Sequence, residues 1–317
     1  MRIASIAWYS MTLLVPIAAA SARTVVPRHL VRSEIATSAV TQPVDPQIVA
    51  RLFDQAAALR AQTVGDNRSA RYFIIPAAGS VAGANGTFFR SDVTLINYAA
   101  TAEDVIAVWW ASGTTTTPSI ANGTRITLPA AKAVTYVDFV ASVLRKTGLG
   151  SILFFGVQGS NLDVDAAIDG LSRIYTKQPG SDGTVSQEFP PVDVYNLLVA
   201  DTSASLGLRQ DTSYRTNFGI VNADKIPHSV KVTAIGERAT NSVTVTVPAY
   251  GMLQQAIPAG DYGALTVAFD ITDSGGASIS WVAYASSTDN ITGDGWVSIA
   301  SADLTPDDLT IIGYGKK

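Results

Sequence analysis

Four segments in the first half of this chain return, in the same order, in the second. Tyr72-Phe-Ile-Ile-Pro76 is answered by Tyr195-Asn-Leu-Leu-Val199, and Phe89-Arg-Ser-Asp-Val-Thr-Leu-Ile-Asn97 by Tyr214-Arg-Thr-Asn-Phe-Gly-Ile-Val-Asn222. Ile126-Thr-Leu-Pro-Ala130 returns as Val245-Thr-Val-Pro-Ala249, and Gly150-Ser-Ile-Leu-Phe-Phe155 as Gly263-Ala-Leu-Thr-Val-Ala268. The offset falls from 125 to 119 to 113 residues across the last three pairs, the drift expected when loops shorten while strands persist. A period of roughly 120 residues is a whole β-sandwich, well above the ~20–50 residues of a solenoid or propeller unit. The expected domains are therefore copy 1 over 72–192 and copy 2 over 195–312, joined at Pro190-Pro191-Val192-Asp193.

The strand texture supports this. Short β-branched and aromatic runs at 72–75, 92–98, 104–110, 125–128, 151–157 and 166–175 are separated by Gly, Pro, Asn and Asp, the pattern of antiparallel strands. With 47% apolar and 15% charged residues the chain is not disordered, and 25 Gly and 14 Pro argue against a helical bundle. A net charge of −4 without a basic stripe argues against a nucleic-acid partner. The absence of Cys excludes disulfides, thiol catalysis and cysteine metal sites.

Ahead of the repeats, Arg2 precedes an apolar stretch from Ile3 to Ala20 that ends in Ala20-Ser21-Ala22, the pattern of a cleaved secretory signal over 1–22. The alternative, a membrane anchor, is interrupted by Ser5, Ser10, Thr12 and Pro16; no later window is apolar enough to span, so the mature chain is expected to lack a transmembrane segment. Export without cysteine suits a bacterial periplasmic, secreted or cell-surface location. The Asn-x-Ser/Thr triplets at Asn67, Asn85, Asn122 and Asn290 are read as chance in a Thr- and Ser-rich chain. Residues 23–44 lack any period and read as a mobile leader. Over about 45–62, Ile48, Val49, Leu52, Phe53, Ala56 and Leu59 recur at helical spacing behind a capping Asp45 and a first-turn Pro46. Whether that helix packs on its own chain or another is open at this stage. A second short helix, with Val137, Val140, Ala141 and Leu144 on one face, is expected over 136–146.

The opening Asn85 to Asn97 and its counterpart Tyr214 to Asn222, the Leu-Pro-Ala segment, Ser172-Arg-Ile-Tyr175 before Gly183-Thr184, and Tyr284-Ala-Ser-Ser-Thr-Asp-Asn-Ile-Thr-Gly-Asp294 resemble tandem Ig-like β-sandwich modules of exported, largely uncharacterised bacterial proteins. The resemblance covers about 72–300. It implies an exported all-β pair of sandwiches and brings no catalytic residues with it.

Few residues invite chemistry. His29 lies in the leader and His228 beside Pro227, neither in metal-ligand spacing nor in reach of a Ser-His-Asp reading. Arg90 with Asp92, and Arg215 with Asn217, share a strand face and could anchor a carboxylate or sugar, or pin the repeated fold. Asn97 and Asn222 end matching strands and suit turn geometry. Oxygen-rich clusters at Asn161, Asp163 and Asp165 and at Asp289, Asn290 and Asp294, with Asp270 and Asp273 nearby in sequence, make Asp163, Asp165, Asp289 and Asp294 the calcium candidates, against a plain reading as Asx turns. Trp110 and Trp296 are candidate sugar platforms. In alternation one of Trp109 and Trp110 points outward, and Trp281 and Tyr284 could extend the patch around Trp296.

The expectation from sequence is an exported, noncatalytic structural or binding module of the bacterial envelope, with no cofactor unless calcium, and a protein or glycan partner. The alternatives are a carbohydrate-binding adhesin and a hydrolase using carboxylates such as Asp163 or Asp289.

Overall fold

The computed structural model describes residues 24–62, 72–83, 86–113, 123–178, 180–193, 201–275 and 280–302. The expected signal segment, the triplets at Asn67, Asn85 and Asn122, and the repeat segment 195–199 lie outside them. The fold is all-β with few helices. The first half carries β1 (Arg32–Ala36), β2 (Thr41–Pro43), α1 (Pro46–Gln62), β3 (Tyr72–Ala82), β4 (Phe88–Asn97), β5 (Glu103–Ala111), β6 (Gly123–Leu128), β7 (Lys132–Tyr136), α2 (Phe139–Ser142), β8 (Gly148–Gln158), β9 (Asn161–Leu162), β10 (Ile168–Lys177), β11 (Thr184–Phe189) and β12 (Val192–Asp193). The second carries β13 (Thr202–Gln210), β14 (Tyr214–Asn222), β15 (His228–Gly236), β16 (Thr240–Val247), β17 (Gly251–Ala256), β18 (Gly263–Ile271), β19 (Trp281–Asp289), β20 (Gly295–Ile299) and β21 (Ser301–Ala302).

The first half forms a 12-stranded sheet with the path β1-β7-β4-β3-β8-β5-β6-β2. It curls, because β4 pairs with β7 and β10 along most of its length while residues 88–90 pair with the far end of β3. The second half forms a five-stranded sheet, β16-β15-β18-β13-β21, and a four-stranded one, β17-β14-β19-β20. Strand pairing recurs. The run β3-β8-β5-β6 is matched by β13-β18-β15-β16, and β7-β4-β10-β11 by β17-β14-β19-β20. Even the register shifts correspond, between Ile75 and Ala78 on β3 and between Ser205 and Leu208 on β13.

Hydrogen-bond register refines the repeat. Gly148 and Gly263 hold equivalent places and both have positive φ, 101° and 70°. The last segment is thus offset by 115 residues, not the 113 read from residue matching. A slip of two leaves every side chain on its own face, so the apolar pattern matches equally well in either register. The two asparagines do identical work. Asn97 Nδ2 donates to Thr101 O (2.9 Å) and Pro129 O (3.1 Å), and its Oδ1 accepts from Ala99 N (2.8 Å). Asn222 Nδ2 donates to Ile226 O (2.8 Å) and Pro248 O (3.1 Å), and its Oδ1 accepts from Asp224 N (2.9 Å). Each buried amide ties a strand end to two loops whose backbone groups have left the ladder.

Three apolar clusters form among the described residues. One lies inside the curled first-half sheet around Phe73, Val93, Trp109, Tyr136 and Phe154. A second lies between the two second-half sheets around Phe218, Val232, Phe269 and Trp281. The third joins everything: the outer face of β3, β8 and β5 (Ile74, Phe155, Trp110) is covered by α1 through Val49, Leu52 and Phe53, and by the second half through Val221, Met252 and Val282. The helix therefore packs on its own chain, capped as its sequence implies by Asp45 Oδ1, which accepts from Gln47 N at 2.8 Å.

Two expectations are corrected. The leader is ordered from residue 24: β1 pairs in parallel with β7 and β2 antiparallel with β6. Its pairing is through backbone, with Ile35 78% and Val40 89% exposed, so no apolar period marks it. The helix expected over 136–146 is only the four-residue α2, bounded by Asp138 and Arg145 at φ 46° and 57°. Replacing either Asn97 or Asn222 with Ala should lower unfolding free energy by about 1–3 kcal/mol through stranded backbone carbonyls, read by urea melts; an unchanged midpoint would remove their structural role.

Candidate functional site

The outward face of the four-stranded sheet changes character along its strands. On β14, Phe218 and Ile220 point into the second-half core, and Arg215, Asn217, Gly219 and Val221 alternate outward. On β19, Val282, Tyr284, Ser286 and Thr288 take the same face. Its apolar end, with Val221, Val282, Tyr284 and Met252 of β17, belongs to the core shared with the first half. Its polar end lines a cleft of about 320 Å³ where the halves diverge.

The opposite wall of the cleft is apolar and comes from the first half, through Val81, Phe89, Leu149 and Ile174. The polar wall presents Arg215, Asn217, Gln254 and Thr288, with Arg215 the only charged residue lining the cleft among those described. Hydrogen bonds fix it. Tyr284 Oη donates to Gln254 Oε1 at 2.5 Å, and burial pushes that phenol's pKa up, so it remains a donor. Tyr284 fits because its neighbour is Gly219, where a Cβ would overlap the ring. Gln187 of β11 crosses between the halves, its Nε2 donating to Thr288 Oγ1 at 3.0 Å. Arg215 Nη1 donates to Asn290 Oδ1 at 2.9 Å, which holds the guanidinium at the rim. Such a cavity, apolar on one side with a few oriented polar groups on the other, accommodates a small amphipathic molecule.

Other candidates fall elsewhere. Trp110 is 2% exposed, stacked on Phe53 at 5.8 Å between centroids, and cannot serve as a sugar platform. Trp109 and Trp110 do point to opposite faces, as alternation requires, but both faces of β5 are covered. Trp281 and Tyr284 are buried too. Trp296 is 39% exposed, edge-on to Tyr214 at 5.8 Å, with Nε1 donating to Gly207 O at 2.9 Å. It borders a second, more open groove of about 420 Å³ with Arg209 and Asp211.

The aspartates hold turns. Asp289 Oδ1 accepts from Ile291 N (2.6 Å) and Thr292 N (2.9 Å), and these N–H groups hold its pKa below the usual carboxylate value. Asp294 N donates to Thr292 Oγ1 in the same turn. Asp163 Oδ1 accepts from Asp165 N at 2.9 Å, while Asn161 Oδ1 accepts from Gln55 Nε2 at 3.1 Å and so pins α1 to β9. Among the described residues no group of three or more His, Cys, Asp or Glu gathers as a metal site. Asp273 and Asp224 flank buried His228, at 3.2 Å from Nδ1 and 3.4 Å from Nε2, which commits both ring nitrogens. His29 is exposed in a 3₁₀ turn. Arg90 and Asp92 do not pair with each other: Arg90 meets Asp138 at 3.5 Å, and Asp92 Oδ1 accepts from Asp138 N at 3.0 Å. The sequence singled out Arg215 and Asn217 correctly as a shared strand face. It gave no signal for Gln254 or Gln187, which reach the cleft only through folding.

No family model matches the chain and no curated protein matches it. A crystal structure described as Thermotoga maritima 1070 is similar over 33% of this chain and 95% of its own at 9% identity, with a TM-score of 0.26, too low to bear on function.

Because Asp163 and Asp289 accept from the N–H groups of their own turns, melting temperature should not differ between excess calcium and chelator; a calcium-dependent rise would contradict the turn assignment. The depressed pKa of Asp289 means its stabilisation is complete above the ordinary carboxylate pKa of about 3.9 and is lost as pH falls through the lower folded value. Melts of Asp289→Asn between neutral and acid pH should accordingly fall less steeply than those of the unaltered chain.

Proposed function

We propose that this chain is an exported, noncatalytic binding module of a bacterial envelope or cell surface, built from two copies of an Ig-like sandwich plan. The recurrent strand pairing supports the duplication, and the Arg2-to-Ala22 pattern supports export. No helix among the described residues is long and apolar enough to cross a membrane. The observation that carries the binding reading is the cleft between the halves, with its apolar wall from one copy and its hydrogen-bonding wall from the other. A ligand with an apolar body and a carboxylate or hydroxyl end complements both walls and the single guanidinium at the rim. The noncatalytic reading follows from how the candidate groups are engaged: His228 is held at both nitrogens, and Asp163 and Asp289 accept from their own turns.

One observation favours a glycan instead, the half-exposed Trp296 beside Tyr214, with Arg209 stacked over the Tyr214 ring at 4.4 Å. Isothermal titration with decanoate and with chito- and cello-oligosaccharides separates the two. Seating in the cleft predicts that Leu149→Trp and Arg215→Ala each weaken decanoate binding at least about tenfold, a loss of about 1.4 kcal/mol, while Trp296→Ala leaves it unchanged. Oligosaccharide binding lost only in Trp296→Ala would place recognition on the other groove and overturn the cleft reading.

A further inference from the structure

The repeated plan makes the sheet edges comparable between the halves. In the first half, edge strand β6 is closed by β2, with Thr41 opposite Ile126 and Gln42 opposite Arg125, and edge strand β7 is closed by parallel β1. In the second half, β17 occupies the place of β7. Its edge is met by the end of β5: Ser112 bridges Met252 in parallel, Gly113 N donates to Met252 O at 3.0 Å, and Gln254 N donates to Ser112 Oγ at 2.9 Å. The edge that answers to β6 is different. Strand β16, which occupies the place of β6, pairs with β15 alone among the described residues.

The open side of β16 can be read residue by residue. Gly236 N donates to Ala239 O at 2.9 Å, in register with the β15–β16 ladder. By alternation Asn241, Val243, Val245 and Val247 turn their backbone groups toward β15, and Thr240, Ser242, Thr244 and Thr246 turn theirs outward. Those four side chains are exposed, whereas Val243 and Val245 pack against the second-half core. The strand is eight residues long with neither a charge nor a proline within it, so it lacks the features that usually keep an edge from pairing. Strand β1, by contrast, is five residues and carries Arg32 and Glu34.

We propose that β16 is the seam of a two-fold homodimer, in which it pairs antiparallel with β16 of a second copy about an axis through Thr244. This register sets Thr244 opposite itself, Ser242 opposite Thr246 of the second copy and Val243 opposite Val245 of the second copy. Hydroxyl meets hydroxyl on the solvent face, valine meets valine at the centre of the core face with Asn241 opposite Val247 of the second copy at its ends, and no like charges are opposed. The ladder ends where Thr240 reaches Pro248, which has no N–H to give. Two five-stranded sheets become one continuous sheet, closing the edge of β16 by the same backbone pairing that β2 supplies to β6. The strand is self-complementary, as an isologous interface requires, so a second copy is the occupant rather than a foreign peptide.

Sedimentation equilibrium of the chain across the micromolar range tests this. The unaltered chain is expected at twice the monomer mass. Thr244→Lys and Thr244→Glu each place like charges on the axis and should sediment as monomers, while an equimolar mixture of the two regains dimer mass. Thr244 is exposed, so circular dichroism of either variant should match that of the unaltered chain and each should still melt in a cooperative transition, below the dimer only by the concentration-dependent margin that association adds, which separates loss of pairing from loss of fold. An unaltered chain that is monomeric at every concentration, charge variants that stay dimeric, or a mixture that fails to reassociate would each overturn the proposal.

Discussion

The structure depends on one sheet segment, β3-β8-β5, being buried on both faces. Its inner face closes the first-half core through Phe73, Phe154 and Trp109, and its outer face carries Ile74, Phe155 and Trp110. An antiparallel sheet often leaves one face to water. Here the outer face is as apolar as the inner, so α1 and the second half have to cover it. Burying Val221, Met252 and Val282 there contributes about 1.5–3 kcal/mol each as an upper bound. Hydrogen bonds between the halves, such as Gln187 to Thr288, contribute about 0.5–1.5 kcal/mol net. Packing therefore sets how the halves meet, and polar contacts adjust it.

The cleft is a consequence of that packing. The outward face of β14 and β19 is apolar at the end that meets Trp110 and polar at the end that does not. Where the apolar contact stops, the halves separate and leave a space with unlike walls. Gly219 and Tyr284 mark the border: the glycine admits the ring, and the ring hands a hydrogen bond to Gln254 on the cleft side. Tyr250 marks the other side of the shared core. It sits at φ 44°, a conformation unusual for a bulky residue, where the equivalent Ala131 of the first half has φ 51°. The repeated turn thus keeps its backbone while one copy uses it to aim a ring at Phe53, 4.4 Å away between centroids.

The sequence made the strands, their recurring order and the helix's boundaries legible because all three are written in side-chain pattern. Asn97 and Asn222 were legible as turn residues because an Asn at a strand end has few other uses. The strap formed by β1 and β2 was not, since edge pairing through backbone needs no particular side chains. Trp110 was misassigned for a different reason. Alternation says which face a residue is on, not whether that face is covered, although the unbroken apolar run Val105 to Trp110 is the mark of a strand buried on both sides. Cleft residues such as Val81 and Gln254 are far apart in sequence and become neighbours only once the halves dock.

The central claim, that α1 and the second half are packed jointly on the outer face of the first, is tested most directly by a double-mutant cycle on Phe53 and Tyr250, read by equilibrium unfolding. The account predicts that Phe53→Ala, Tyr250→Ala and the double variant unfold in single transitions, with a coupling between the two rings of about 0.5–1.5 kcal/mol. Additive effects, or a first transition that releases the second half while leaving α1 and the first half folded, would contradict it.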